Sequence, residues 1–94
     1  MPKVLIFNDC WIFIIWDTDQ NENKKHVHVG KKATVNLCKI WIDDVVEIAK
    51  PGDLTIKQQK ELLEVAKKYQ KQLIQQWDNF MIGKTIKTIK VRSL

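Results

Sequence analysis

A chain of 94 residues, 45% hydrophobic and 29% charged, fits one domain spanning 1–94 with a modest core. Sixteen Lys and Arg against eleven Asp and Glu leave a formal charge of +5, which permits an acidic or nucleic-acid partner without demanding one. The totals exclude a disordered polar chain, and two widely separated cysteines, Cys10 and Cys38, exclude a disulfide scaffold.

Val4 to Trp16 is apolar, but Asn8 and Asp9 interrupt it, so it is too short and broken for a membrane span. No small-residue cleavage site follows, and the cysteines read as reduced thiols, so the expected setting is cytoplasmic, without membrane contact. Lys3–Phe7 and Cys10–Trp16 read as strands joined at Asn8-Asp9, two residues that tolerate positive φ. In the second strand Trp11, Phe13 and Ile15 face one way and Cys10, Ile12, Ile14 and Trp16 the other. Both faces are apolar, so each needs a cover.

The polar run from Asp17 to Lys25 reads as a solvated loop, acidic first and basic last. His26–Gly30 alternates as a short strand, Lys31-Lys32 turns, and Ala33–Ile42 continues as strand. Val35 and Leu37 share one face while Cys38, Ile40 and Ile42 share the other, a slip that predicts a β-bulge near Leu37-Cys38. Asp43-Asp44 turns into a last short strand at Val45–Ala49, and Pro51-Gly52 closes the β-rich half.

Thr55 and Gln58 form a capping box. Leu62, Leu63, Ala66, Tyr69, Leu73, Ile74, Trp77, Phe80 and Met81 then recur at helical spacing. The spacing predicts one helix over Ile56–Ile82, about 40 Å long at 1.5 Å per residue, stopped by Gly83. Its other face, with Lys57, Lys60, Glu64, Lys67, Lys68, Lys71 and several glutamines, reads as solvated. In the basic tail, Ile86, Ile89 and Val91 suit an edge strand.

The expected fold is therefore α+β: an antiparallel sheet of four to five short strands, N-terminal hairpin first, packed on one long C-terminal amphipathic helix, with a short basic C-terminal strand or tail. One helix covers one sheet face. The other, with its share of Trp11, Trp16 and Trp41, then calls for an outside partner, and a homodimer is the expectation.

The segment from Lys24 to Lys32 concentrates the groups that bear chemistry. It holds both histidines, His26 and His28, between Lys24-Lys25 and Lys31-Lys32. On a strand, residues two apart share a face, roughly 7 Å from one another. Such a pair can bind a divalent metal if a third ligand joins it, and Asp17, Asp19, Glu22, Asp43 and Glu47 are the acids on hand. None has telling spacing, so no metal and no cofactor is assigned. The pair can equally act as base and acid on an RNA phosphodiester, with the four lysines gripping phosphate or another partner. The third reading is structural, with both rings packed and hydrogen-bonded. Neither cysteine has a histidine near it in sequence, and no Gly-rich phosphate loop, GxSxG or HExxH is present. Trp77, Phe80 and Met81 read as core or interface rather than a base-stacking platform.

Met1-Pro2-Lys3-Val4, the hairpin, His26-Val27-His28-Val29 after a polar loop, and Cys38-Lys39-Ile40-Trp41-Ile42 form one set of marks. Leu73-Ile74-Gln75-Gln76-Trp77 and Gly83-Lys84-Thr85-Ile86-Lys87-Thr88-Ile89 complete it. Together they resemble a family of small bacterial proteins, the domain of unknown function (DUF) numbered 4160. Its members typically carry Pro-Pro before the first histidine, where this chain has Lys24-Lys25. The family's genes are often found beside a second family of small uncharacterised proteins. The resemblance thus implies a bacterial cytosolic protein, one half of a two-gene, toxin–antitoxin-like module, whose partner is a small protein from the neighbouring gene. It supplies no catalytic residue. The leading functional expectation is an interaction protein. The alternative is a metal-independent ribonuclease or RNA-binding protein that uses His26, His28 and the flanking lysines.

Overall fold

The structure, a computed structural model, describes residues 2–16, 24–31 and 37–94. Strand β1 (Lys3–Phe7) turns at Asn8 and Asp9, with φ of 54° and 51°, into β2 (Trp11–Ile14). Two successive positive-φ residues match the right-handed twist of the flanking strands, as the Asn-Asp dipeptide implies. Then follow β3 (His26–Lys31), β4 (Cys38–Trp41) and β5 (Glu47–Lys50). Gly30 lies in β3 opposite Ile12, as expected, and the strand runs one residue further than expected, with Lys31 opposite Trp11 and not in a turn. Lys32 and positions 33–36 lie outside the described residues.

The sheet has six strands in the order β5-β4-β3-β2-β1-β6, and it is mixed, not purely antiparallel. The sixth strand, β6 (Ile89–Val91), pairs in parallel with β1, Leu5 opposite Ile89 and Phe7 opposite Val91. Topology explains this. Five antiparallel strands leave the chain at the end of the sheet opposite its start. The helical segment carries it back, so the last strand runs the same way as the first.

That return is also why the expected single helix is two. Helix α1 (Ile56–Lys68) and helix α2 (Gln70–Met81) meet at Tyr69, whose φ of −106° and ψ of 21° leave helical geometry. A straight helix of the predicted length, about 40 Å, would overrun strands of four to six residues, which span about 13–20 Å. It would also exceed the molecule's longest extent of 34 Å. Instead the helical segment breaks at Tyr69, and α2 reaches from the end of β4 to the start of β1. There the Gln70 amide donates to the carbonyls of Ile42 and Asp43 at the end of β4. The Gln76 amide donates to the carbonyls of Val4 in β1 and Lys87 ahead of β6. Gln76 is buried, unlike the solvated glutamines expected of that face. The start of α1 is the anticipated capping box, Thr55 and Gln58 bonding each other's backbone N–H. Gly83, at φ 76°, follows the last helical turn.

Cross-strand partners share a face, and this sorts the sheet. Leu5, Phe7, Trp11, Phe13, Val27, Val29, Cys38 and Ile40 lie on one side and join Leu62, Val65, Ala66, Leu73 and Trp77 of the helices in one core. The opposite side carries Ile6, Ile12, Ile14, His26, His28, Lys39, Trp41 and Glu47. Ile6, Ile12, His28, Lys39 and Trp41 there are only partly buried. Trp11 thus belongs to the helix side and not to the second face. Burial alternates along β4 and the β3–β4 pairing is regular from Trp41 to Cys38, its last pair, while Val35, on which the expected slip near Leu37-Cys38 rests, lies outside the described residues. A register shift is seen between β4 and β5, at Lys39/Ile40.

Candidate functional site

The two histidines lie on the sheet face opposite Val27 and Val29, where Trp77 of α2 reaches the first of them. His26 is fully buried and His28 partly so, and the Nε2 atoms of both are buried. Their ring centroids are 5.1 Å apart at an interplanar angle of 87°. This is closer than the strand repeat of about 7 Å, because the rings lean together edge to face. His26 Nδ1 is 2.9 Å from the Lys24 carbonyl oxygen. A carbonyl only accepts, so Nδ1 carries a hydrogen and donates it.

Three tryptophans complete an aromatic cluster. Trp41, the register partner of His26 on β4, meets its ring edge-on at 5.5 Å. Trp77 reaches it from α2 at 5.0 Å, tilted by 55°. Trp16, just past β2, packs edge-on against His28 at 5.8 Å and remains 37% exposed. The cluster therefore grades from a sealed interior, His26 and Trp77, to an accessible rim of His28, Trp16 and Trp41. Strand alternation delivers this: His26, His28, Lys39 and Trp41 are all on one face because they are paired or two apart.

The lysines divide differently from the sequence expectation. The exposed Lys24 places its ammonium 4.6 Å from the Trp41 ring centroid, and Lys39 places its own at 4.5 Å. Lys25 instead pairs with Asp78 of α2 at 2.9 Å. Lys31 lies over Trp11, 5.2 Å from its centroid, at the far end of the strand. Lys32 lies outside the described residues. Of the three flanking lysines among the described residues, Lys24 reaches the ring cluster, and Lys39 joins it from β4. Sequence reasoning passed over Lys39 and treated Trp41 and Trp16 only as apolar surface. The i, i+2 spacing of Lys39 and Trp41, matching that of His26 and His28, was the available signal.

Among the described residues no group of three or more His, Cys, Asp or Glu is placed to hold a metal ion. Asp17, Asp19 and Glu22 lie outside them. Cys38 is buried in the core on the other side of the sheet, where burial raises its thiol from the ordinary 9.0 to about 11. An open hollow lined by Trp11, Lys31, Asp53, Leu54 and Gln58 lies on the helix side, apart from the histidines. No helix among the described residues is long and apolar enough to cross a membrane.

The sequence profile of a family described as "Domain of unknown function (DUF4160)" matches residues 10–78, well over half the chain. That span contains the histidine strand, Trp16 and Trp41 of the rim, and Trp77. No curated protein and no solved structure matches.

Proposed function

The chain belongs to the DUF4160 family, and on that premise we propose that it is a binding protein for a polyanion, with the rim of Trp41, His28 and Trp16 on the histidine-bearing sheet face as its docking surface. One observation carries the reading: two lysine ammoniums, from Lys24 and Lys39, converge on the partly exposed ring of Trp41. They concentrate positive charge on a rigid strand surface, as binding by a net +5 chain requires. The burial of His26 between Trp41 and Trp77 favours binding over acid–base cleavage of RNA, because a general acid or base must reach the proton it transfers. In this reading His26 is the foundation of the rim and His28 is part of the rim itself.

The test is retention on immobilised heparin at rising salt. The K24A/K39A double variant should elute earlier, and wild type should elute later than a K60A/K67A control that loses the same charge from exposed positions of α1. If the two double variants elute together, charge at Trp41 is not a site and the reading fails.

A second reading rests on Ile6 and Ile12, register partners that leave an apolar, half-buried strip on the same face. Such a strip suits a second copy of the chain, or the small protein of a neighbouring gene in a toxin–antitoxin-like module. Sedimentation of the chain alone and co-expressed with that neighbour tests it. Association lost in Ile12→Lys supports it, and a monomer in both samples ends it.

A further inference from the structure

We infer that the polyanion is single-stranded RNA, stacked on Trp41 and Trp16 with its phosphates held by Lys24 and Lys39. The inference rests on the polyanion reading above and deepens it. Heparin, an acidic peptide and a nucleic acid all satisfy charge. Only the last also uses flat aromatic rings.

The rim supplies such rings in a particular order. Trp41 stands on β4, the histidines on β3, and Trp16 just past β2, touching His28. The two indoles therefore flank the imidazoles two strands apart, on the order of 10 Å from one another. An acidic peptide would be better served by the planar fork of arginine. This face carries none, since the chain's single arginine is Arg92, just past β6. A duplex hides its base faces in the stack, so rings on a flat sheet can engage only unpaired bases.

The lysines over Trp41 are compatible with that role. A base stacked on an indole is worth more than an exposed cation–π contact. An arriving base can therefore displace an ammonium from the ring face, and the flexible lysine stem lets the ammonium follow the phosphate. The exposed Glu47, register partner of Trp41, separates RNA from DNA. A carboxylate beside the stacking ring repels phosphate, yet it can accept a hydrogen bond from a ribose 2′-hydroxyl, which DNA lacks.

The experiment is fluorescence anisotropy of labelled oligo(U) and oligo(dT) of about 12 nucleotides on the full chain, with heparin and poly-glutamate as competitors. We expect oligo(U) to bind several-fold more tightly than oligo(dT), with an affinity that falls as salt rises. Trp41→Leu and Trp16→Leu should each weaken it about tenfold. Trp41→Tyr, which keeps a ring, should stay close to wild type, so a loss in the leucine variant is read as lost stacking and not as misfolding. Heparin retention through Lys24 and Lys39 without oligo(U) binding would overturn RNA as the partner while leaving the polyanion reading intact. So would equal binding of oligo(dT), unchanged affinity in the leucine variants, or full competition by poly-glutamate at matched charge. Loss of both heparin and oligo(U) binding would overturn the two together.

Discussion

The rings of His26 and Trp77 lie 5.0 Å apart, centroid to centroid, across the junction of the sheet and α2. Residues 51 positions apart in the chain (77 − 26) are thus in direct contact, and the first histidine of the pair is part of the fold's interior. His26→Ala should cost about 2–4 kcal/mol, as for a large buried side chain whose neighbours collapse only partly. His28→Ala, at the accessible rim, should cost about 1 kcal/mol or less. Urea unfolding followed by tryptophan fluorescence measures both. Equal costs would contradict the division of the pair into foundation and rim.

Gln76 ties three parts of the chain together by donating to the carbonyls of Val4 and Lys87 from a buried position in α2. Gln76→Leu keeps the volume and removes the donors, leaving two carbonyls to find others. A loss of about 1–3 kcal/mol follows. Amide hydrogen exchange should accelerate first in Ile89–Val91, because among the described residues β6 is an edge strand paired with β1. Acceleration spread evenly over the sheet would argue against a specific clasp.

At the start of α1, Thr55→Ala removes the hydroxyl that accepts from the Gln58 N–H. The expected cost is about 1 kcal/mol, read as a lower urea midpoint with an unchanged slope. Thr55→Ser should stay close to wild type. A neutral Thr55→Ala would mean that packing of Leu62, Val65 and Ala66 holds the helix start without its cap.

Burial raises the Cys38 thiol to about 11 from 9.0, so the folded protein holds that proton when the unfolded chain has released it. Stability from this group is therefore fully present below about pH 9 and is lost as pH rises toward 11. Cys38→Ala should flatten that part of the stability–pH curve. At pH 8 a thiol reagent should modify the partly exposed Cys10 well before Cys38. Matching rates would indicate that the sheet opens readily between β3 and β4.

Local chemistry made several elements readable without coordinates. Asn8-Asp9 marked the hairpin because few dipeptides accept two positive φ values, and Thr55 with Gln58 marked a helix start because the box is formed within one turn. The strand at His26 followed from alternation, and so did the shared face of the histidine pair. The family resemblance, too, lay in the linear order of residues. Two helix properties escaped the periodicity. Tyr69 belongs to the same apolar stripe on either side of the break, so no local signal announced it. Gln76 looks like its solvated neighbours until the carbonyls of Val4 and Lys87 are seen above it.

Neighbouring residues set the local grammar of the chain: hairpin, histidine strand, helix start, and a sheet with two apolar faces to cover. Assembly of the whole chain set the rest: the helix breaks at Tyr69, the last strand runs parallel to the first, and Lys24 and Lys39 meet on Trp41 while Lys25 turns to Asp78. The reason is physical. Turns and caps are decided by hydrogen bonds a few residues apart, whereas the rim around His28 is assembled from three strands and supported by a helix, and its geometry exists only once the sheet register is in place.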